Sequence, residues 1–339
     1  MKTFRYEWAR WGDVNAFFGL MLDNVAVLVL LVSALTAFAP NAFTPQFVMA
    51  HMVPGTALGV LIGDLVYTWM AFRLARRTGR ADITAMPLGL DTPSTFGVAY
   101  LVLLPSLAEG QAAHGMDHDT AMRYAWHVGV VVLLLVGAFK VACAPLGNLV
   151  RRLVPRAGLL GSLAAIALAL ISFLPLLQDI AAVPLVGLVA LTVILVTLVA
   201  HRALPGKFPG ALAAVLLGVA AYGVGMGLNW LFGWDLVRPG PGGGPGLSWA
   251  PPPLLPVLGL EQGWWARVLD AALAKMPVAL PFALATIVGG IDCTESAAAA
   301  GDDYDTRGIL LTEAVASILA GCLGGVVQTT PYIGQPAYK

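Results

Sequence analysis

Hydrophobic residues occur along this chain in long runs, separated by short polar segments, and the runs are long enough to cross a membrane as helices. About 20 consecutive apolar residues span the hydrocarbon core of a bilayer in helical form. The pattern therefore predicts ten membrane segments. Their approximate bounds are residues 16–39, 47–75, 83–107, 124–145, 157–177, 182–201, 209–228, 273–290 and 309–327, with a tenth that begins at residue 328.

Composition supports this prediction of an all-α polytopic membrane protein. Hydrophobic residues make up 58% of the chain and charged residues only 11%, whereas a soluble domain carries about 25% charged residues. The formal net charge is zero, which excludes the basic surface that nucleic-acid binding requires. The three cysteines form no CxxC motif, so we expect neither a metal site nor any other cofactor.

Lysine and arginine indicate the orientation of the chain. If every run crosses the membrane once, the basic residues collect on one side, at the N-terminus and after the second, fourth, sixth and eighth runs. Basic loops face the cytoplasm in most membrane proteins. We therefore expect a multi-pass protein of the cell (inner or plasma) membrane with a cytoplasmic N-terminus.

Two of the runs are unsuited to a continuous helix. Residues 83–107 contain Pro87 and Pro93 in their first half, and the last segment reads QTTPYIGQPAYK. Interior prolines remove helical hydrogen bonds, and irregular backbone at membrane depth is tolerated only where it is buried in protein or lines a wet cavity. The polar side chains of these two runs either contact a ligand or satisfy the backbone groups that the prolines leave free. These side chains are Asp91, Thr92 and Ser94 in one segment, and Thr329, Thr330 and Gln335 in the other.

Acidic residues inside the apolar runs are the other candidates for a site, because an intramembrane charge is costly and usually faces a cavity or a partner. Asp292 and Glu295 are three residues apart and share one helix face. They are interpreted as substrate-binding and proton-coupling groups. The alternative is that both are helix-end acids in cytoplasmic water, like the neighbouring Asp302, which we interpret as solvated.

The first run carries Asp23 and Asn24 near its middle. Two interpretations stay open for this pair: an opposing wall of the binding site, or a polar contact that joins helices by hydrogen bonds. For Asp64, in the second run, we favour structural pairing.

The order of these features predicts an inverted repeat. Seven runs precede a segment rich in Gly, Pro and Trp, and three follow it; the first of each set carries acids and the third is broken. Interrupted segments at corresponding positions point to the binding site of a transporter built from inverted repeats. We divide the chain into residues 1–228 (first repeat), 229–268 (extracytoplasmic connection) and 269–339 (second repeat). The second repeat lacks about four spans, so we expect a C-terminally truncated chain.

Two stretches resemble a known family. MPLGLDTPSTFG and GGIDCTESAAAAGDDYDTRGILLTEAVASILAGCLGGVVQTTPYIGQPAYK are similar to the third and the eighth-to-tenth segments of the nucleobase cation symporter-2 (xanthine/uracil permease) family, in its hypoxanthine/guanine-permease-like and uncharacterised branches. The resemblance implies a fold of seven plus seven inverted spans in which segments three and ten pair as short antiparallel strands. It also implies that an acid on segment eight, Asp292 or Glu295, binds the base and that Gln335 adds a polar contact. Asp23-Asn24 departs from the Gln-His of the better-known branch.

The resemblance implies a secondary active transporter that takes up a purine or pyrimidine base together with protons by alternating access. Its partners would be a small planar heterocycle and the lipid bilayer, with a homodimer as the alternative to a single copy. Two other functions stay open: an anion transporter on the same fold, and a non-transporting membrane sensor or assembly protein. An enzyme is not expected, because no nucleophile–base constellation is present in the sequence.

Overall fold

The computed structural model describes residues 6–39, 41–155, 176–237 and 263–338, together with positions 157, 158, 161, 164, 168 and 173. Most of these residues are helical. The α-helices and strands are α1 (Trp11–Phe38), α2 (Pro45–His51), α3 (Val53–Thr78), β1 (Leu88–Leu90), α4 (Thr92–Gly97), α5 (Leu104–Ala112), α6 (His118–Cys143), α7 (Gly147–Leu153), α8 (Pro184–Ile194), α9 (Gly210–Phe232), α10 (Trp264–Ala299), α11 (Thr306–Cys322), β2 (Thr329–Pro331) and α12 (Gln335–Tyr338).

Within the described ranges, five helical stretches are long and apolar enough to cross a membrane, and a sixth is shorter. The five are Trp11–Thr36, Pro45–Thr78, His118–Leu153, Gly210–Phe232 and Trp264–Ala299, and the shorter one is Pro184–Val199. They confirm a multi-pass helical membrane protein. Most of the predicted fifth span, residues 157–177, and most of the predicted connection lie outside the described residues.

Helix α10 differs from its predicted form at both ends. It begins at Trp264, inside the predicted connection, and continues to Ala299, although the apolar run predicts an end near residue 290. Alanine and threonine in the last turns are compatible with a helix that is buried by its neighbours rather than by lipid. Asp292 and Glu295 therefore lie inside the helix, both with less than 5% of their surface exposed. The alternative that they are helix-end acids in water is wrong.

The prediction that the third and tenth segments are broken is confirmed. Strand β1 leads into α4, with Pro93 in its first turn, and a π-helical stretch, Val98–Leu103, then joins α4 to α5. Strand β2 is followed by the short α12. Proline is well placed in the first turn of a helix, where its missing N–H would be unsatisfied in any case.

Helices α3 and α11 pack closely because of three glycines spaced four residues apart. A Cβ atom on Gly59 would lie 2.6 Å from the Ala320 side chain, one on Gly55 would collide with the Leu323 carbonyl, and one on Gly63 would collide with the Leu88 side chain. Small residues at this spacing let backbones approach in membrane helices. The contact holds α3, α11 and β1 as one unit.

Helices α8 and α9 form a second unit, which contacts α1. The Asn15 Oδ1 atom accepts a hydrogen bond from the Ala211 backbone N–H at 3.2 Å. The Trp11 indole donates to the Lys207 carbonyl at 2.8 Å. The N-terminal part of α1 is therefore joined to the helices that the sequence assigns to the end of the first repeat.

We expect Gly59→Leu to lower the thermal stability of the detergent-purified protein. The added side chain overpacks the α3–α11 contact, which typically costs about 1–3 kcal/mol or more.

The matched control is Gly223→Leu. Gly223 lies within helix α9, where a Cβ atom would meet nothing within 4 Å. Equal melting temperatures for the two variants would contradict the close packing.

Candidate functional site

The two broken segments meet as a two-stranded antiparallel ribbon, as the family resemblance implies. Gly89 pairs with Thr330, flanked by the pairs Leu88–Pro331 and Leu90–Thr329. Two further hydrogen bonds extend the ribbon symmetrically, from the Asp91 N–H to the Gln328 carbonyl at 3.2 Å and from the Tyr332 N–H to the Pro87 carbonyl at 2.8 Å. An antiparallel pair has local two-fold symmetry, and this is the arrangement that an inverted repeat predicts.

The outer edge of β1 is closed by two side chains. The Leu88 N–H donates to Asp64 Oδ1 at 2.7 Å, and the Leu90 N–H donates to Asn24 Oδ1 at 2.9 Å. Asp64 lies near the middle of α3 and Asn24 near the middle of α1, so the ribbon lies at mid-depth of these helices. The structural pairing predicted for Asp64 is confirmed. Asp23, next to Asn24, is partly buried.

The outer edge of β2 is closed by side chains from three helices. The Thr329 N–H donates to Ser317 Oγ at 3.1 Å, and its carbonyl accepts a hydrogen bond from Lys140 Nζ at 3.1 Å. The Cys293 thiol donates to the Pro331 carbonyl at 3.4 Å. Both edges therefore have protein partners, which a strand at membrane depth requires.

The Lys140 ammonium also forms a buried ion pair with Glu313. Lys140 Nζ lies 2.5 Å from Glu313 Oε1, and each side chain is 1% exposed. Neither residue is among the site residues predicted from the sequence. The available signal was a single basic residue in the fourth apolar run and a single acid in the ninth, since intramembrane ionisable residues are functional candidates by default.

Each strand is followed by the start of a short helix. Asp91 caps α4, because its Oδ2 accepts the Ser94 N–H at 2.8 Å and its carbonyl accepts the Thr95 N–H at 3.1 Å. Thr92, the first residue of α4, is exposed, and Ser94 is fully buried. The described cavity beside Ser94 and Gln328 measures about 10 Å³, which is room for roughly one water molecule.

Gln335, at the start of α12, contacts the loop that follows α10. Its Nε2 donates to Asp302 Oδ2 at 3.0 Å and to the Thr84 carbonyl at 3.2 Å. Asp302 also accepts the Thr84 N–H at 3.0 Å and has no exposed surface. The interpretation of Asp302 as solvated is wrong, because these contacts hold it inside the fold.

Tyr304, in the same loop, supports this cluster. Its hydroxyl donates to the Thr84 carbonyl at 2.7 Å. Burial raises the pKa of the Tyr304 phenol well above its ordinary value, and the nearby Asp302 carboxylate raises it further. The phenol therefore stays protonated and remains a hydrogen-bond donor at physiological pH.

Asp292 and Glu295 share one face of α10 but lie in different surroundings. Glu295 Oε2 is 2.6 Å from Arg151 Nε, and the same guanidinium binds Asp303 Oδ1 at 2.9 Å. This cluster borders a cleft of about 590 Å³. Asp292 is fully buried next to Cys293, whose thiol contacts the ribbon.

The comparisons with known proteins assign no family. No protein-family model matches the chain, and no curated protein matches it. Among solved structures, the chain is similar to the transmembrane domain of a cyanobacterium bicarbonate transporter, BicA, with 16% identity and a TM-score of 0.38. The match covers 93% of this chain and 76% of that one. Similarity at this level determines neither family nor substrate.

We expect Asp64→Ala to loosen strand β1, because the Leu88 N–H then loses its acceptor at a buried position, at a cost of about 1–3 kcal/mol. Hydrogen–deuterium exchange of the peptide that contains residues 86–91 measures the effect as faster exchange.

Asp64→Asn is the control, since its side-chain carbonyl can still accept this bond. If Asp64→Ala and Asp64→Asn exchange at the same rate as the unmodified chain, the assigned role of Asp64 is refuted.

Proposed function

We propose that this chain is part of a secondary active transporter that takes up a purine or pyrimidine base, or a similar planar heterocycle, together with protons. The observation that carries the proposal is the antiparallel ribbon at mid-depth of the helices, with a short helix starting after each strand. Broken segments of this kind form the substrate sites of inverted-repeat transporters. The family-level resemblance in the sequence supports the same class.

Alternating access would move one body of helices relative to another. The candidate bodies are the ribbon with α3, α6, α10 and α11, and the pair α8–α9. Direct packing of α3 on α11 through glycines supports the first as a rigid unit. The cavity next to the ribbon is too small for a base, which fits a closed conformation that must open to admit substrate.

Asp292 is the better candidate for substrate binding and proton transfer, and two observations favour it over Glu295. Glu295 forms an ion pair with Arg151, and a nearby cation favours the ionised carboxylate. Asp292 is fully buried on α10, and the next residue of that helix, Cys293, contacts the ribbon. A buried carboxylate can accept the ring N–H groups of a base and can carry a proton.

The remaining predicted site residues are proposed in supporting roles. Thr330 is partly buried on β2, opposite Gly89, and could face a bound base. Thr329 is directed to the scaffold, because its hydroxyl donates to the Glu313 carbonyl at 3.0 Å. The other predicted site residues for which we propose supporting roles are Thr92, Ser94, Gln335, Asp23 and Asn24.

One contact argues against the anion-transporter alternative. The N-terminus of a helix attracts anions through its free N–H groups, but the carboxylate of Asp91 already occupies this position on α4. A second negative charge there would be repelled. Competition of base uptake by sulfate or a dicarboxylate would instead favour the anion alternative.

We expect protein in proteoliposomes or in a transport-deficient strain to take up at least one of labelled hypoxanthine, guanine, xanthine and uracil. An inwardly directed proton gradient should stimulate uptake. Absence of uptake for all four bases would remove nucleobases from the substrate list.

We expect Asp292→Asn to reduce this uptake roughly tenfold or more, since a hydrogen bond to a charged group contributes about 1.5–3 kcal/mol. The matched control is Glu295→Gln on the same helix face, which should retain the stimulation by protons. Reversal of the two phenotypes would assign coupling to Glu295, and full proton-stimulated uptake by both variants would remove both acids from the coupling role.

A further inference from the structure

The Lys140 ammonium contacts two oxygen atoms that come from one structural unit. The carboxylate of Glu313 lies 2.5 Å from Nζ, and the Thr329 carbonyl lies 3.1 Å from it. Glu313 belongs to α11, and Thr329 is the first residue of β2, the strand that follows α11 in the chain. Lys140 enters from a different helix, α6.

The Thr329 carbonyl is held in place without the lysine. The Thr329 hydroxyl donates to the Glu313 carbonyl at 3.0 Å, and the Thr329 N–H donates to Ser317 Oγ at 3.1 Å. These bonds join the strand to α11 and fix the direction of the Thr329 carbonyl. The unit of α11 and β2 thus offers a fixed carbonyl oxygen, and the same helix α11 carries the Glu313 carboxylate beside it.

A carboxylate oxygen beside a carbonyl of unwound backbone is a donor set that suits a small hard cation. Hard cations take oxygen ligands, and in transporters with interrupted helices such carbonyls coordinate Na⁺. The ammonium occupies this position and carries the same single positive charge. Its side chain is 1% exposed, so a soluble ion cannot share the position.

We propose that Lys140 supplies a tethered cation to an oxygen site that would bind Na⁺ or a similar monovalent cation in its absence. The ribbon then keeps its shape without an ion from solution. For the proposed transport function, on which this consequence rests, the coupling ion at the ribbon is not Na⁺.

The test is cation-dependent stability of purified Lys140→Ala, which removes the side chain beyond Cβ and leaves both oxygen ligands. In NaCl, its melting temperature should rise by at least about 2 °C over that in choline chloride of equal ionic strength, because a ligand that binds the folded state stabilises it. Methylammonium should act similarly. The unmodified protein should respond equally to NaCl and choline chloride.

The double variant Lys140→Ala/Glu313→Gln is the matched control, since it removes the charged ligand and should lose the response to Na⁺. Equal melting temperatures of Lys140→Ala in all three salts would overturn the proposal. The proposal would also be overturned if Lys140→Ala cannot be recovered folded in any of these salts although the double variant can.

Transport gives an independent readout. Base uptake by Lys140→Ala should be low in choline and should rise with Na⁺ in a saturable manner, whereas uptake by the unmodified protein should not depend on Na⁺. If no base is taken up by either protein but the cation-dependent stability is found, the proposed substrate fails and the cation site stands. Na⁺-dependent uptake by the unmodified protein would refute the inference about the coupling ion.

Discussion

The backbone of the ribbon needs hydrogen-bond partners in a part of the protein where bulk water is absent, and this requirement organises the rest of the structure. A two-stranded ribbon has two outer edges, and an unsatisfied backbone group in hydrocarbon costs several kcal/mol. Asp64 and Asn24 satisfy N–H groups of β1. Ser317 and Lys140 satisfy groups of β2. Polar residues of four helices are thereby explained as hydrogen-bond partners of one small sheet.

Close packing follows from the same requirement. Side chains as short as Asp and Asn reach a strand only if their helices lie close to it, and bulky side chains would keep the helices apart. Glycines of α3 bring that helix against α11 and against the Leu88 side chain of β1. The helices around the ribbon therefore form a dense unit, which is the property required of a rigid body in a transporter.

Two buried carboxylates of this unit form ion pairs with basic side chains. The pairs are Glu313 with Lys140 and Glu295 with Arg151. Paired groups are costly to protonate or to move, because the partner would remain as a buried charge. Asp292 is fully buried on α10, and we propose that it carries the mobile proton.

Much of the architecture follows from the sequence alone. The apolar runs determined the helices, since about 20 apolar residues suffice to cross a bilayer. The prolines at 87 and 93 and at 331 and 336 located the two broken segments, since an interior proline removes a helical hydrogen bond. Proline alone does not decide the outcome, because α10 continues through Pro277 and Pro281. These are local properties, and neighbours in the chain are enough to recognise them.

The partners of each polar side chain were decided only by the tertiary structure. Lys140 and Glu313 are separated by 173 positions, and no local pattern shows that they meet. Asp302 stands in a polar segment that resembles a solvated loop, yet Thr84 and Gln335 bury it. Glu295 and Asp292 share one helix face and the same chemistry, but Arg151 lies beside Glu295, and Asp292 lies next to Cys293, which contacts the ribbon. Pairing across the fold depends on distances between helices, and these are set by packing of residues that are remote in the chain.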